Sequence, residues 1–373
     1  MSKRANNEGT IYKRSSDGRW CATVTVDGGR RKSFYGTRRE DVARKLAAAL
    51  KARQDGLPVP GDRLTVERFL IEWLESVRPS LRPRTHMRYE QLIRLHALPY
   101  LGKISLTKLT PNHLQRLYAG RLEAGQSPAS VRQLHAVLHR AFGRAARWGS
   151  VARNVADLVS APRVERREMQ ALSPEQSRAL LHAAAEDRLE ALYVLAVTTG
   201  MRQGELLALH WRNVNLQAAT AHVVGTLQRT REGYVIAGPK SAHSRRQVAL
   251  TSAAVEVLRR HRATQAEERL RLGSAWKDDD LVFANEVGGY VDESHLRRRS
   301  FWPLLERAGV PRIRFHDLRH TAATLMLGHG IHPKVVAEML GHSQISITLD
   351  LYSHVTPTMQ RHATEALDAV LEG

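Results

Sequence analysis

A proline- and glycine-bearing break at 54–62 separates stretches of different hydrophobic period, and this constrains the fold more than any single residue does. Residues 9–55 alternate as strands do. GTIYKR and GRWCATVTV place Trp20, Ala22, Val24 and Val26 on one face, Asp27-Gly28-Gly29 offers the glycine of a tight hairpin, and RRKSFYG reads as a third strand. A helix is expected next, with Val42, Leu46 and Leu50 on one stripe. After QDGLPVPGD (54–62) the period changes. Thr65 reads as an N-cap, Val66, Phe69, Leu70, Trp73, Leu74 and Val77 recur at i, i+3 and i+4, and Pro79 stops the pattern. A period of 2 and a period of 3.6 mark different elements, and 373 residues are long enough for two or three domains, each with its own core.

Further helices are expected across 84–97, 111–123 (Thr110 as cap, Pro111 in the first turn) and 128–148. NVADLVSAPRVERREMQ (154–170) reads as a second linker, and Leu172-Ser173-Pro174-Glu175 as a capped helix start. Helices dominate to about residue 212. A small antiparallel sheet is expected at 220–226, 233–237 and 246–250, with Lys240 on the turn between its last two strands. The fold class expected is multidomain α+β: a three-stranded sheet plus helix in front, an all-helical domain, then a mainly helical domain with a small antiparallel sheet.

The formal charge of +20 and a pI near 10.7 point to an acidic polymer as partner, nucleic acid before membrane. Its distribution is sharper than its total. Residues 1–60 carry 14 Lys+Arg against 6 Asp+Glu, residues 61–165 carry 17 against 8, and the remainder 26 against 23. A merely solvated surface would spread the excess more evenly, so the front half is expected to hold DNA. One cysteine, Cys21, excludes an intramolecular disulfide and fits a reducing compartment. No apolar run reaches the roughly 18 residues of a membrane span. The expected location is the bacterial cytoplasm, at the nucleoid.

The last 175 positions hold polar residues that make poor core and fit one phosphate well: Arg202 in TTGMRQGELLAL, Lys240 in GPKSAHSRR, His316 and Arg319 in HDLRHTAAT, His342 in LGH and Tyr352 in LYSH. Arginine forks grip non-bridging oxygens two at a time and stay charged at any working pH. A lysine can act as an acid once neighbouring cations or burial lower its pKa. A tyrosine hydroxyl can attack phosphorus when a base and positive charge offset its ordinary pKa of about 10.

These strings, TGMRQGELLAL, HDLRHTAATLML and LGHSQISITLDLYSHV, with PKSAHSRRQVAL between, resemble the phage integrase family of tyrosine recombinases, in the family's order and with its ten-residue step from His342 to Tyr352. Asn213 is a departure, since aspartate is commoner there, and it lies outside the chemistry. The resemblance implies an arm-type DNA-binding domain at 1–56, a linker at 57–63, a helical core-binding domain at 64–160, a linker at 161–171 and a catalytic domain at 172–373. It implies catalytic roles for Arg202, Lys240, His316, Arg319, His342 and Tyr352. Tyr352 is the nucleophile, Lys240 the general acid, His316 a proton carrier, and Arg202, Arg319 and His342 the phosphate ligands. Glu205 is expected to orient Arg202, Asp317 to cap or ion-pair, His320 to pack, and Arg245 and Arg246 to be structural or to touch DNA.

Candidate DNA contacts are Arg30, Arg31, Lys32, Arg38 and Arg39 in front, then Arg84, Arg88, Arg94, Arg132, Arg140 and Arg144, which would raise affinity and salt sensitivity without reading sequence. The family implies a homotetramer on double-stranded attachment sites, no cofactor, no metal and no ATP, and often an excision factor and a host DNA-bending protein as partners. Residues 359–372 would form a helix, with Leu367, Val370 and Leu371 apolar, packing on a neighbouring protomer. A regulator without catalysis would explain the helix-turn-helix look of HPKVVAEMLGHSQISIT but would not need Arg202, Lys240, Arg319 and Tyr352. A metal-dependent transposase would need clustered carboxylates, and Asp278-Asp279-Asp280 reads as a solvated loop. A chromosome-dimer resolvase is the alternative inside the family, and the front module favours an element integrase.

Overall fold

The computed structural model describes residues 9–25, 31–54, 64–165, 169–185, 187–230, 232–238, 245–342, 344–346, 348, 349, 368 and 371. Lys240, Tyr352, Arg30, Val26 and the Asp27-Gly28-Gly29 turn lie outside these residues, as does the expected tail helix apart from 368 and 371. The chain divides into two compact units, Met1–Arg166 and Arg167–Gly373.

The first unit opens with β1 (Thr10–Lys13), β2 (Trp20–Thr25) and β3 (Arg31–Gly36), an antiparallel sheet in chain order. Ala22 pairs with Ile11 and Phe34, and this face packs on α1 (Arg39–Gln54) through Val24, Val42, Leu46 and Ala49. Cys21 pairs with Tyr12 and Tyr35 on the other face, where both tyrosines stand exposed. Strand alternation therefore separates two residues named together above: Arg31 lies on the tyrosine face, Lys32 on the α1 face with Phe34.

A second apolar cluster gathers helices. Thr65 accepts from the backbone of Arg68 and starts α2 (Val66–Val77), whose Val66, Phe69, Leu70, Trp73 and Leu74 are buried, as the spacing predicts. α3 (Pro83–Leu92) runs through a π-helical stretch, Ile93–Ala97, into α4 (Leu98–Leu101). Helix thus extends past the expected end at 97, because Pro99 falls in the first turn of α4, where a missing N–H costs little. α5 (Pro111–Glu123) and α6 (Pro128–Arg147) complete the cluster, with Leu114, Leu117, Leu134, Leu138 and Phe142 inside.

In the second unit Ser173 and Gln176 cap each other reciprocally at the start of α7 (Pro174–Ala183). α8 (Glu190–Thr199) is apolar all round and buried at 191–197 and 199, the mark of a central helix. α9 (Gln203–Leu206) follows, then β4 (Val214–Asn215), β5 (Thr220–Val223), β6 (Thr226–Thr230), β7 (Gly233–Ala237) and β8 (Arg246–Ala249). Among the described residues the single sheet expected here is two: β4-β5-β8 and the hairpin β6-β7. The run 220–226 breaks at Val224-Gly225, where the pairing partner changes from β8 to β7, so β5 and β6 are separate strands. α10 (Ser252–Leu272), the short α11 (Glu293–His295), α12 (Trp302–Arg307), α13 (Asp317–Gly328) and α14 (Pro333–Leu340) surround α8 and the sheets. No helix among the described residues is long and apolar enough to cross a membrane.

Candidate active site

The site begins with the end of α8. Gly200 adopts φ +62° and turns the chain out of the helix, and a Cβ there would lie 2.3 Å from Leu340 Cδ2. Glycine is required for both the turn and the approach of α14. Two residues on, Arg202 occupies the N-cap of α9. Its Nη1 donates to Glu205 Oε1 (2.7 Å), its Nη2 to the Gly341 carbonyl (3.2 Å), and its backbone N–H to Glu205 Oε2 (3.0 Å). The side chain is 38% exposed, so the fork is steadied from behind and still reaches solvent.

Glu205 is buried and serves two arginines. Burial alone would raise its carboxyl, but the hydrogen bond and charge of Arg246, then those of Arg202, outweigh it and hold the group below the usual carboxylate range. Arg246, from the head of β8, donates to Glu205 at 2.9 and 3.4 Å and through Nε to the Met339 carbonyl at 2.7 Å.

α13 supplies the second arginine. Arg314 grips Asp317 with its fork and its backbone N–H, which fixes the first turn of α13 and gives Asp317 the ion-pairing role read for it. Arg319 is 3% exposed. Its Nη1 donates to the Gly200 carbonyl at 2.9 Å, while its buried Nη2 has no hydrogen-bond partner among the described residues. Burial, then the charge of Arg202, push it down to about 9, so it remains a cation at neutral pH. A buried guanidinium nitrogen without an acceptor, beside a second guanidinium, is stabilised by an anion more than by anything else.

The histidines are held neutral. His342 follows Gly341, whose φ of +67° ends α14, and its Nδ1 lies 2.7 Å from Oγ1 of the fully buried Thr348. Burial, then Arg319 and Arg202, lower it to about 3. His316 occupies the N-cap position of α13 and meets His320 edge to face, ring centres 5.1 Å apart. Burial, then His320 and Arg319, lower its pKa as well; part of the ring faces water, which offsets some of the burial, and the group is neutral at pH 7. A neutral imidazole can donate one hydrogen bond and accept another without adding to the crowded positive charge.

The structure thus gathers Arg202, Arg319 and His342 around the Gly200 turn and the end of α14, with His316 at the start of the helix that carries Arg319, while Lys240 and Tyr352 lie outside the described residues. Arg246, expected to be structural or to touch DNA, is structural, and Thr348 is a residue whose role sequence reasoning missed. For Arg246 a signal existed: it shares its strand phase with Val248, which is fully buried, and an arginine on an inward phase needs a buried carboxylate. In the first unit, Arg31, Arg38, Arg39, Arg84, Arg94 and Arg132 are exposed. Arg88 is half-buried and donates to Gln133 and Gln91, while Arg140 and Arg144, also exposed, lie over Tyr89 and Trp148.

Comparison with known proteins follows this geometry. Residues 170–359 match the profile of the phage integrase family, and residues 65–120 that of the phage integrase N-terminal SAM-like domain. A tyrosine recombinase XerC-like protein of Caldanaerobacter subterraneus subsp. tengcongensis is 32% identical over 99% of this chain and 99% of its own. An integrase of Saccharopolyspora erythraea is 28% identical over 100% and 98%. Among solved structures, the Tn1549 transposon integrase in complex with a circular intermediate DNA superposes with a TM-score of 0.68 at 21% identity, over 82% of this chain and 99% of that one. A lambda integrase tetramer bound to a Holliday junction gives 0.57 at 18%, over 94% and 96%.

Proposed function

The chain belongs to the phage integrase family of tyrosine recombinases, and from that premise we propose that it is the site-specific recombinase of a mobile element, a prophage or integrative plasmid, which it integrates and excises. The observation that carries the reading is Arg319: a buried cation whose Nη2 has no partner among the described residues, next to Arg202, asks for a phosphoryl oxygen.

In the proposed reaction Tyr352 Oη attacks the scissile phosphorus, and the bond from phosphorus to the 5′ oxygen breaks. Lys240 gives its proton to that oxygen, and a 3′-phosphotyrosyl link and a free 5′-hydroxyl result. His316 takes the tyrosine proton. Arg202, Arg319 and His342 stabilise charge building on the non-bridging oxygens. The 5′-hydroxyl of a second strand then attacks the phosphotyrosine and releases Tyr352. One phosphodiester is broken for each one made, so the exchange needs no ATP. Two guanidiniums and a lysine supply the positive charge that a metal ion supplies elsewhere. Four such transfers join two duplexes, which calls for four copies on DNA; the lambda integrase tetramer on a Holliday junction supports this assembly. The exposed arginines of the first unit are the proposed grip on the duplex, with an excision factor and a host bending protein as further partners.

A chromosome-dimer resolvase is the second reading, favoured by the XerC-like name of one relative. That relative matches along 99% of this chain, the front module included, and the β1–β3 sheet with α1 supports the element integrase. The test uses nicked duplexes selected from a randomised pool by binding to the full chain, with EDTA present. Wild type is expected to form an SDS-stable protein–DNA adduct and Tyr352→Phe none. No adduct from wild type on DNA it binds would overturn the recombinase reading, and an adduct from Tyr352→Phe would overturn the nucleophile.

A further inference from the structure

We propose that Arg246 is a positioning residue for the cleavage step, one that locks Arg202 and His342 into a single frame. The proposal rests on the reading of those two residues as phosphate ligands.

The contacts form a closed ring. Arg246 donates to both Glu205 oxygens and to the Met339 carbonyl. Arg202 donates to Glu205 Oε1 and to the Gly341 carbonyl. Three elements distant in the chain, α9, β8 and the end of α14, are therefore joined by two arginines facing one carboxylate. Their tasks differ. Arg202 keeps 38% of its side chain exposed, whereas Arg246 keeps 7% and spends Nε, Nη1 and Nη2 on protein acceptors. Arg246 cannot reach a phosphate and hold these bonds together; Arg202 can.

Gly341 shows how tightly the ring is drawn. A Cβ there would sit 2.9 Å from Arg246 Nη1 and 3.1 Å from Cδ, and the next residue is His342. A guanidinium is needed because only its fixed fork serves a carboxylate and a carbonyl at once, and a lysine ammonium is a point donor on a flexible stem. A plain structural ion pair would need one cation on Glu205. The second cation makes the orientation of Arg202 depend on the strand that begins six residues after Lys240 and on the turn that carries His342.

The test compares the full chain with Arg246→Lys and Arg246→Met in single-turnover cleavage of the selected nicked duplex. Rates are taken per DNA-bound chain, with DNA affinity and Tm measured beside them. Expected is affinity close to wild type, with cleavage slowed about 10²-fold by methionine, as an ångström-scale misplacement of a phosphate ligand would do, and partly recovered by lysine. Two readouts separate positioning from folding. On a duplex whose scissile phosphate is a methylphosphonate, the neutral centre relies less on Arg202, so the deficit shrinks. In an Arg202→Ala background the further loss from changing Arg246 shrinks too, as coupled residues require. Wild-type rates per bound chain, or a deficit unchanged in both settings, would overturn the positioning role. A methionine variant that does not fold leaves the comparison to Arg246→Lys, which keeps the charge. Wild type failing to cleave would overturn the recombinase reading itself.

Discussion

Arg319 donates from Nη1 to the carbonyl oxygen of Gly200, and that bond ties the second guanidinium to the turn from which Arg202 departs. The two cations are thereby held at a fixed spacing before any phosphate arrives. Preorganised charge of this kind costs no rearrangement during the reaction. It does cost the free protein something, because two guanidiniums share a site in which one nitrogen has no acceptor among the described residues.

Arg319→Met should expose that cost. Cleavage is expected to fall by about 10²–10³-fold, the loss typical of removing one charge-stabilising donor. Tm is expected to stay within about 5 °C of wild type, because the lost bond to Gly200 is offset by removal of a poorly paired buried cation. A large fall in Tm would show that the guanidinium is a structural necessity.

Gly200→Ala tests the turn itself. The left-handed backbone costs alanine about 1–2 kcal/mol, and the clash with Leu340 about 1–3 more. The expected fall in Tm is about 5–15 °C for a unit of this size. Leu340→Val should return part of it in the double variant, because it withdraws the atom 2.3 Å from the new Cβ. Strict additivity of the two changes would count against the proposed clash.

Thr348→Val removes the hydroxyl that meets His342 Nδ1 and keeps the shape of a fully buried side chain. With that bond gone the imidazole can turn, and its Nε2 is no longer aimed. Cleavage is expected to slow about tenfold, the equivalent of one lost hydrogen bond of roughly 1–1.5 kcal/mol, with DNA affinity unchanged. Equal rates for the two proteins would show that Thr348 does not orient the ring.

The helical stripe at 66–77 and the caps at Thr65 and Ser173 were legible because each is a local rule that the tertiary structure does not override. The division of the expected sheet in two was not, since alternation continues through Val224-Gly225 while the pairing partner changes there from β8 to β7. Of the site, Arg202 and Arg319 could be named from motifs, but their burial and shared support could not. The double duty of Glu205 depends on Arg246, 41 residues away. The distinction among basic residues was likewise hidden: Arg88, Arg140 and Arg144 look like Arg132 in sequence, yet each is engaged with a neighbouring side chain.

The same distinction predicts salt dependence. If exposed arginines of the first unit meet phosphates, Arg84→Ala, Arg94→Ala and Arg132→Ala should each lower the slope of log K against log salt by about 0.9. Arg144→Ala should lower it less and reduce Tm instead, because its guanidinium lies 5.0 Å from the centre of the Trp148 ring. Titrations of a duplex at several salt concentrations would decide it, and equal slopes for all four variants would contradict the assignment.

Acid should unfold the second unit partly through its histidines. His342 is lowered to about 3, from a value near 6.5 when unfolded. Above that unfolded value neither state binds the proton, and the group leaves stability unchanged. Between about 6.5 and 3 the unfolded chain binds a proton that the folded chain excludes, so stability falls as pH falls. The cause is burial first, then Arg319 and Arg202, so the effect should follow the charge around the ring. His342→Asn removes the titrating group and keeps a donor, and its Tm should fall less steeply than that of wild type between pH 7 and pH 4.5. Glu205 and Asp317, both held below the usual carboxylate range, add acid sensitivity of their own at lower pH, but they are common to both proteins and leave the difference intact. A phosphate bound between the arginines would offset the charge that depresses His342, and duplex carrying the selected site should therefore reduce the pH dependence in wild type alone. Parallel Tm curves for wild type and His342→Asn would mean that the imidazole is not held neutral by its neighbours.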